Sequence, residues 1–171
     1  MPLPLTARLV LGLAQNGATM FVPNLHVRLA RPTDAGRLGS LYSQLLDSSH
    51  HQVLPERILD LQGGANGALL VADANGVVCG TVLVSLCADV MYGMQPFAVL
   101  ENLVVDLAFR KAGVGAALLT EAEAFCRQRQ CSKIMILSSR ERAGAHRLFE
   151  SRGFDGSAKA GFVKYRRHFE G

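Results

Sequence analysis

The sequence predicts an α+β fold in which helices cover a mixed, mainly antiparallel sheet, and three observations carry that prediction. Two apolar runs, ALLVADA and VVCGTVLVSLCADV, are joined by Asn75 and Gly76, the strongest short hairpin signal in the chain. A further apolar run over residues 97–106 passes through a short turn into an amphipathic helix. Strand and helix patterns then alternate towards the C-terminus, so that an antiparallel meander is followed by strand, helix, strand. At 171 residues, 49% hydrophobic and 19% charged, the chain has apolar material for the core of one soluble domain.

Residues 1–23 carry proline punctuation, one short apolar run and a second methionine at position 20. The run is too short and interrupted to span a bilayer, and LVLGLA after Arg8 only faintly resembles a secretory leader. A flexible leader or an overlong start is expected. LHVRLA then reads as a strand. A helix follows Pro32, with Asp34 near its cap and Leu38, Leu41 and Leu45 on one face, up to a polar break at SSHHQ. Pro55 opens a second short helix around Ile58 and Leu61, ended by GGANG. Gly80, inside the second hairpin strand, marks a bulge or a close backbone approach. After the loop MYGMQP come the strand 97–106, its helix, the strand KIMILSS, a helix over 141–152 and a final strand about FVKYRRHF.

The most informative stretch is AVLENLVVDLAFRKAGVG, residues 98–115. A helix start leaves its first backbone N–H groups unpaired and carries partial positive charge, which favours phosphate oxygens. Gly113 and Gly115 remove Cβ atoms that would keep a diphosphate from those groups, and Arg110 and Lys111 add charged donors. The helix repeats Val114, Leu118, Ala122 and Phe125 at helical spacing, with Leu119 and Cys126 beside them and Glu123 and Arg127 as an i to i+4 pair. There is no GxxxxGK(S/T), and no GxGxxG with an acidic residue about twenty positions on, which argues against nucleotide hydrolysis and dinucleotide redox chemistry.

RKAGVG resembles the RxxGxG pyrophosphate loop of the GNAT N-acetyltransferase superfamily, and ENLVVD before it looks like the strand that enters that loop. AHRLFESRGF, residues 145–154, is similar to the family's C-terminal helix and the GF after it, at the family's spacing. The resemblance covers about residues 24–168, most strongly 98–154. It implies a three-layer α/β arrangement: a GNAT-like, mainly antiparallel central sheet of six to seven strands flanked by about four helices, with residues 24–171 as one domain. It also implies acetyl-coenzyme A (acetyl-CoA) as cofactor and acetyl transfer to an amine by direct attack on the thioester.

Residue by residue, the resemblance implies that the backbone of Leu103, Val104 and Val105 meets the pantetheine arm as an added strand, one strand N–H polarising the thioester carbonyl. Arg110, Lys111, Ala112, Gly113, Val114, Gly115 and Ala116 would hold the diphosphate. Phe149 stands where the family often has a tyrosine serving as general acid, so that role is open; Phe149 is expected to pack on the pantetheine. Arg142 replaces an asparagine that in relatives reaches the cofactor. Tyr42, Tyr92 and Phe97 are expected to border the acceptor, with Tyr92 and Phe97 supplied by the segment MYGMQPF.

Glu101 is the candidate general base. Period-two alternation places Glu101, Leu103 and Val105 on one face of the strand and Asn102 and Val104 on the other. A carboxylate in apolar surroundings has its pKa raised by desolvation, which suits proton removal from an ammonium or attacking amine. A hydrogen-bonded structural role is the plain alternative.

The formal charge of +4 and pI near 9.1 favour an anionic ligand, but the Lys and Arg residues are scattered, tryptophan is absent and no nucleic-acid motif is present. No nucleic-acid or membrane partner is expected. Cys79, Cys87, Cys126 and Cys131 lack CxxC spacing and read as buried free thiols of a reducing, cytoplasmic compartment. His50 and His51 lack an acidic or Cys partner at ligand spacing, so no metal is expected. A small amine or amino-acid-like acceptor is the favoured substrate. A protein N-terminus or lysine, and a non-catalytic coenzyme A-binding module, are the alternatives, and a homodimer is compatible with the exposed strands.

Overall fold

Among the described residues five strands, β1 (Leu25–Leu29), β2 (Gly67–Ala74), β3 (Val77–Cys87), β4 (Phe97–Val105) and β5 (Ile134–Ile136), form one sheet in chain order. The first three pairings are antiparallel and β4 with β5 is parallel. The structure is a computed structural model that describes residues 22–46, 51–62 and 65–169. Of the expected leader only residues 22 and 23 are described, and His50 lies outside the described residues. The chain divides into two compact units, one ending at Ile136 and the other beginning at Leu137.

Each element follows from its residues. Asn75 (φ 53°) and Gly76 (φ 82°) both adopt the left-handed region that a two-residue hairpin turn requires. The Gly76 N–H donates to Asp73 Oδ1 at 2.7 Å, closing that turn. β2 is buried along its whole length because both sheet faces are covered. On one face lie helices α1 (Ala35–Leu45) and α2 (Pro55–Gln62), whose Leu38, Leu41 and Ile58 pack with Leu69, Val71, Val78 and Val104. Helix α3 (Val114–Gln128) lies on the other face and buries Val114, Leu118, Leu119, Ala122 and Cys126. Phe125, expected on that stripe, is half-exposed beneath the Arg129 guanidinium, 5.2 Å above its ring. Glu123 and Arg127 form the expected exposed pair at 2.5 Å.

Gly80 is where α3 sits down on the sheet. A Cβ there would lie 3.0 Å from Val104 O and Val114 Cγ1 and 3.1 Å from Leu118 Cδ1, so bare backbone is what lets the helix approach. β1 is held by Arg28, whose guanidinium reaches Asp34 at 2.8 Å and Asp73 at 2.9 Å. Burial opposes ionisation of Asp34, but hydrogen bonds from Arg28 and the Arg31 N–H outweigh it and hold the carboxyl below its ordinary value.

The strand count differs from the expected six to seven. KIMILSS contributes only Ile134–Ile136, and the segment FVKYRRHF is not a strand: Arg166–His168 form a single 3-10 turn, and residues 162–169 are exposed. That segment lacks period-two alternation, and a strand also needs hydrogen bonds from a neighbouring edge, which its own unit does not supply among the described residues. The fourth helix, α4 (Ala143–Glu150), belongs to the second unit and is shorter than the expected 141–152.

Leu118 is fully buried beneath Gly80. Leu118→Ala is expected to lower the unfolding free energy by about 3 kcal/mol in urea denaturation. A loss under about 1 kcal/mol would show that α3 is not seated on β3 as described.

Candidate active site

β4 is bordered by β5 only over Ala98–Leu100, paired with Ile134–Ile136. From Glu101 onward the two strands part, and the β4 edge facing away from β3 carries no strand among the described residues. Unpaired strand edges present N–H and C=O groups ready for an added strand. Leu103, Val104 and Val105 lie on that free edge.

The parting coincides with a bulge. Leu83 pairs with Glu101 and Thr81 with Val104, so Asn102 and Leu103 together oppose Val82. Asn102 takes φ 55°, a left-handed conformation that asparagine tolerates better than most residues. One extra residue reverses the alternation. Glu101 therefore shares its face with Val104, not with Leu103 and Val105 as strict alternation places it. The Glu101 side chain is exposed rather than enclosed by apolar neighbours. Its face is the one that α1 and α2 cover.

β4 ends in the turn that leads to α3. Asp106 caps a 3-10 turn over Leu107–Phe109, its Oδ1 accepting the Ala108 N–H at 2.8 Å. Arg110 is extended and exposed, donating from Nε to Val105 O at 3.3 Å, and Lys111 is exposed at φ 61°. Gly113 takes φ 81° immediately before α3, and a Cβ there would meet open space. Backbone conformation, more than clearance, is thus what demands glycine at this position. The first i to i−4 bond of α3 runs from the Ala117 N–H to Gly113 O at 3.0 Å, which leaves the N–H groups of Val114, Gly115 and Ala116 without a helical partner. Ala112 and Val114 are buried, so backbone is what they can offer a ligand. Among the described residues no carboxylate pairs with Arg110 or Lys111. An open N-terminus with two uncompensated cations fits a diphosphate.

Sequence reasoning missed the support beneath this turn. Asp106 Oδ2 also accepts from Arg37 and, at 3.2 Å, from Gln44 Nε2, while Gln44 Oε1 accepts the Leu107 N–H at 2.9 Å. Arg37 Nε reaches Val78 O at 2.8 Å, and the Asp106 N–H donates to Cys79 O at 2.9 Å. Burial opposes ionisation of Asp106, but the hydrogen bonds from Ala108, Arg37 and Gln44 outweigh it and hold the carboxyl below its ordinary value. An aspartate ending a strand two residues before a turn N–H is a recognisable local signal; partners on a distant helix are not.

The remaining candidates lie on α1, around the start of β4 and in the second unit. Tyr42 packs against the core under α1, and burial pushes its phenol up. Thr81 donates to Leu70 O at 2.7 Å. Tyr92 is exposed on the loop before β4, and Phe97 is half-buried with Lys133 Nζ 4.7 Å above its ring. In the second unit Phe149 meets Phe154 at 6.1 Å between ring centroids, and Arg142 is exposed at the start of α4. The four thiols are unbridged, Cys79 and Cys126 buried and Cys87 and Cys131 half-buried. Burial pushes Cys79 and Cys126 up to about 12, which removes them as nucleophiles.

The profile of the acetyltransferase (GNAT) family matches residues 37–154, spanning β4, the glycine turn and both flanking units of secondary structure. The chain belongs to that family. It is similar in fold to a protein of Agrobacterium tumefaciens assigned as an acetyltransferase, with TM-score 0.73 and 26% identity over 82% of this chain and 99% of that one. It is similar to glucosamine-6-phosphate N-acetyltransferase of Arabidopsis thaliana, with TM-score 0.70, 19% identity and coverage of 84% and 99%. It also resembles the aminoglycoside N-acetyltransferase AAC(6')-Iy crystallised with coenzyme A, with TM-score 0.66, 22% identity and coverage of 85% and 99%. As a member of the GNAT family the chain is an acetyltransferase and uses acetyl-CoA. Among the described residues no helix is long and apolar enough to cross a membrane.

Two measurements test the turn of this GNAT chain. Gly113→Val forces a branched residue into φ 81° and is expected to raise the Kd for coenzyme A at least about tenfold by calorimetry, with circular dichroism unchanged; an unaltered Kd would remove the turn from the binding site. The second is acid stability. Because the Asp106 carboxyl is held below 3.8, its stabilisation is complete above about pH 5 and is lost as pH falls through that depressed value. Asp106→Asn is therefore expected to show a shallower acid loss than the parent chain in urea denaturation between about pH 3 and 7. Superimposable acid limbs would contradict the assignment.

Proposed function

We propose that residues 24–171 form a single catalytic domain that acetylates the primary amine of a small molecule by direct attack on the acetyl-CoA thioester. The observation that supports this best is the continuity of the free β4 edge with the open glycine turn: one stretch of backbone from Glu101 to Ala116 offers an added-strand site and then an anion site. When bound, acetyl-CoA supplies an acyl group already activated towards amines.

In this reading the N–H groups of Val114, Gly115 and Ala116, with Arg110 and Lys111, would hold the diphosphate. The edge of Leu103–Val105 would receive the pantetheine arm as an added strand. Glu101, on the face shared with Val104, takes the proton from the incoming amine directly or through water. Phe149 offers no proton, and none is required where the leaving thiol has an ordinary pKa of about 8.5. Tyr42 lines the same sheet face from α1, while Tyr92 and Phe97 border the approach from the start of β4. Solved neighbours that act on glucosamine 6-phosphate and on aminoglycosides support a small-molecule acceptor over a protein. The unbridged thiols support a cytoplasmic setting.

Glu101→Gln is expected to lower kcat by about 10²- to 10³-fold, with the KM for acetyl-CoA changed by less than about threefold, in an assay of thiol release against a panel of amines. Unchanged kcat would exclude Glu101 as the base.

A further inference from the structure

The start of β4 carries a feature that acetyl transfer itself does not use. A shallow hollow there is lined by Tyr92, Gln95, Ser132 and Lys133, and a second hollow beside it shares Gln95 and adds Arg129. Each of the four side chains lining the first hollow can donate a hydrogen bond. Lys133 is exposed, with its ammonium 4.7 Å above the Phe97 ring. Among the described residues its ammonium has no carboxylate partner, and the hydroxyls of Tyr92 and Ser132 have no hydrogen-bond partner. Gln95 Nε2 uses one hydrogen on Gln130 O at 3.1 Å and keeps the other. The one carboxylate of the loop over residues 88–96, Asp89, is turned back on its own backbone, Oδ1 accepting the Met91 N–H at 2.9 Å.

Register connects this hollow to the proposed base. Phe97 pairs with Cys87 and Glu101 with Leu83, so both point to the same sheet face, four residues and about 13 Å apart along β4. Between them Val99, and opposite them Ser85 and Cys87, are only half-buried. The face is a shelf with a carboxylate at one end and uncompensated donors at the other.

Resting on the acetyltransferase reading of the same site, we propose that the hollow is an anion subsite for the acceptor, which is a primary amine bearing a carboxylate or phosphate remote from its nitrogen. Glu101 receives the amine and Lys133, with Tyr92, Ser132 and Gln95, receives the anion. A polycationic acceptor would instead bring positive charge against Lys133 and Arg129, which disfavours it.

The test compares matched acceptors in a thiol-release assay: glucosamine 6-phosphate against glucosamine for the phosphate, and 6-aminohexanoate against hexylamine for the carboxylate. The expected result is a higher kcat/KM for the anionic member of at least one pair, reduced by Lys133→Ala about ten- to a hundredfold while the neutral member changes less than about threefold. The pair that responds identifies the anion. Equal kcat/KM within both pairs, or an unchanged preference in Lys133→Ala with a native melting curve, overturns the subsite. Should none of the four be acetylated although acetyl-CoA binds, the small-molecule reading fails, and the subsite is judged separately by titrating glucosamine 6-phosphate and 6-aminohexanoate into the parent and Lys133→Glu chains. Binding of either compound lost in that variant supports the subsite, and binding that is absent or equal in both chains overturns it.

Discussion

Among the described residues β4 is hydrogen-bonded on both edges for three residues only, Ala98–Leu100, and the candidate active site is what that leaves open. A central strand normally spends both rows of N–H and C=O groups on its neighbours. Here the second row is released at the point where the bulge of Asn102 and Leu103 turns the strand, so the free edge, the carboxylate of Glu101 and the entry to α3 succeed one another along one stretch of backbone. Pairing β5 with β4 for a further turn of the strand would close the edge, and removing the bulge would move Glu101 to the α3 face.

An open edge and an open helix start have to be held in shape by something other than the ligand. Asp106 does this. Its carboxylate caps the turn through Ala108 and accepts from two side chains of α1, and its own N–H is spent on Cys79 of β3. Hydrogen bonds to a charged acceptor are the stronger kind, and removing the carboxylate of this buried aspartate would leave its donors unsatisfied. Helix α1 and the glycine turn therefore share one anchor.

Much of the architecture was legible in the chain because it rests on local signals. Asn75-Gly76 specifies its hairpin by backbone conformation alone, Leu38 and Leu41 mark the inner face of α1, Gly80 flags a close approach, and Gly113 meets a left-handed requirement before α3. The candidate diphosphate turn was readable for the same reason. The errors have a common origin. Strict alternation put Glu101 beside Leu103 and Val105, and apolar content made a strand of the C-terminal segment; in both cases the outcome depended on what the neighbouring chain offered.

The sequence by itself determined the order of the elements from β1 to α4, the hairpin, the inner face of α1 and the glycine turn with its two cations, since each is encoded within a few adjacent residues. Only the tertiary structure decided which face Glu101 occupies, where β4 leaves β5, and that Arg37 and Gln44 come from α1 to hold Asp106. Register, edge pairing and partners more than sixty positions apart are set by packing against other elements, and no local run of residues contains that information.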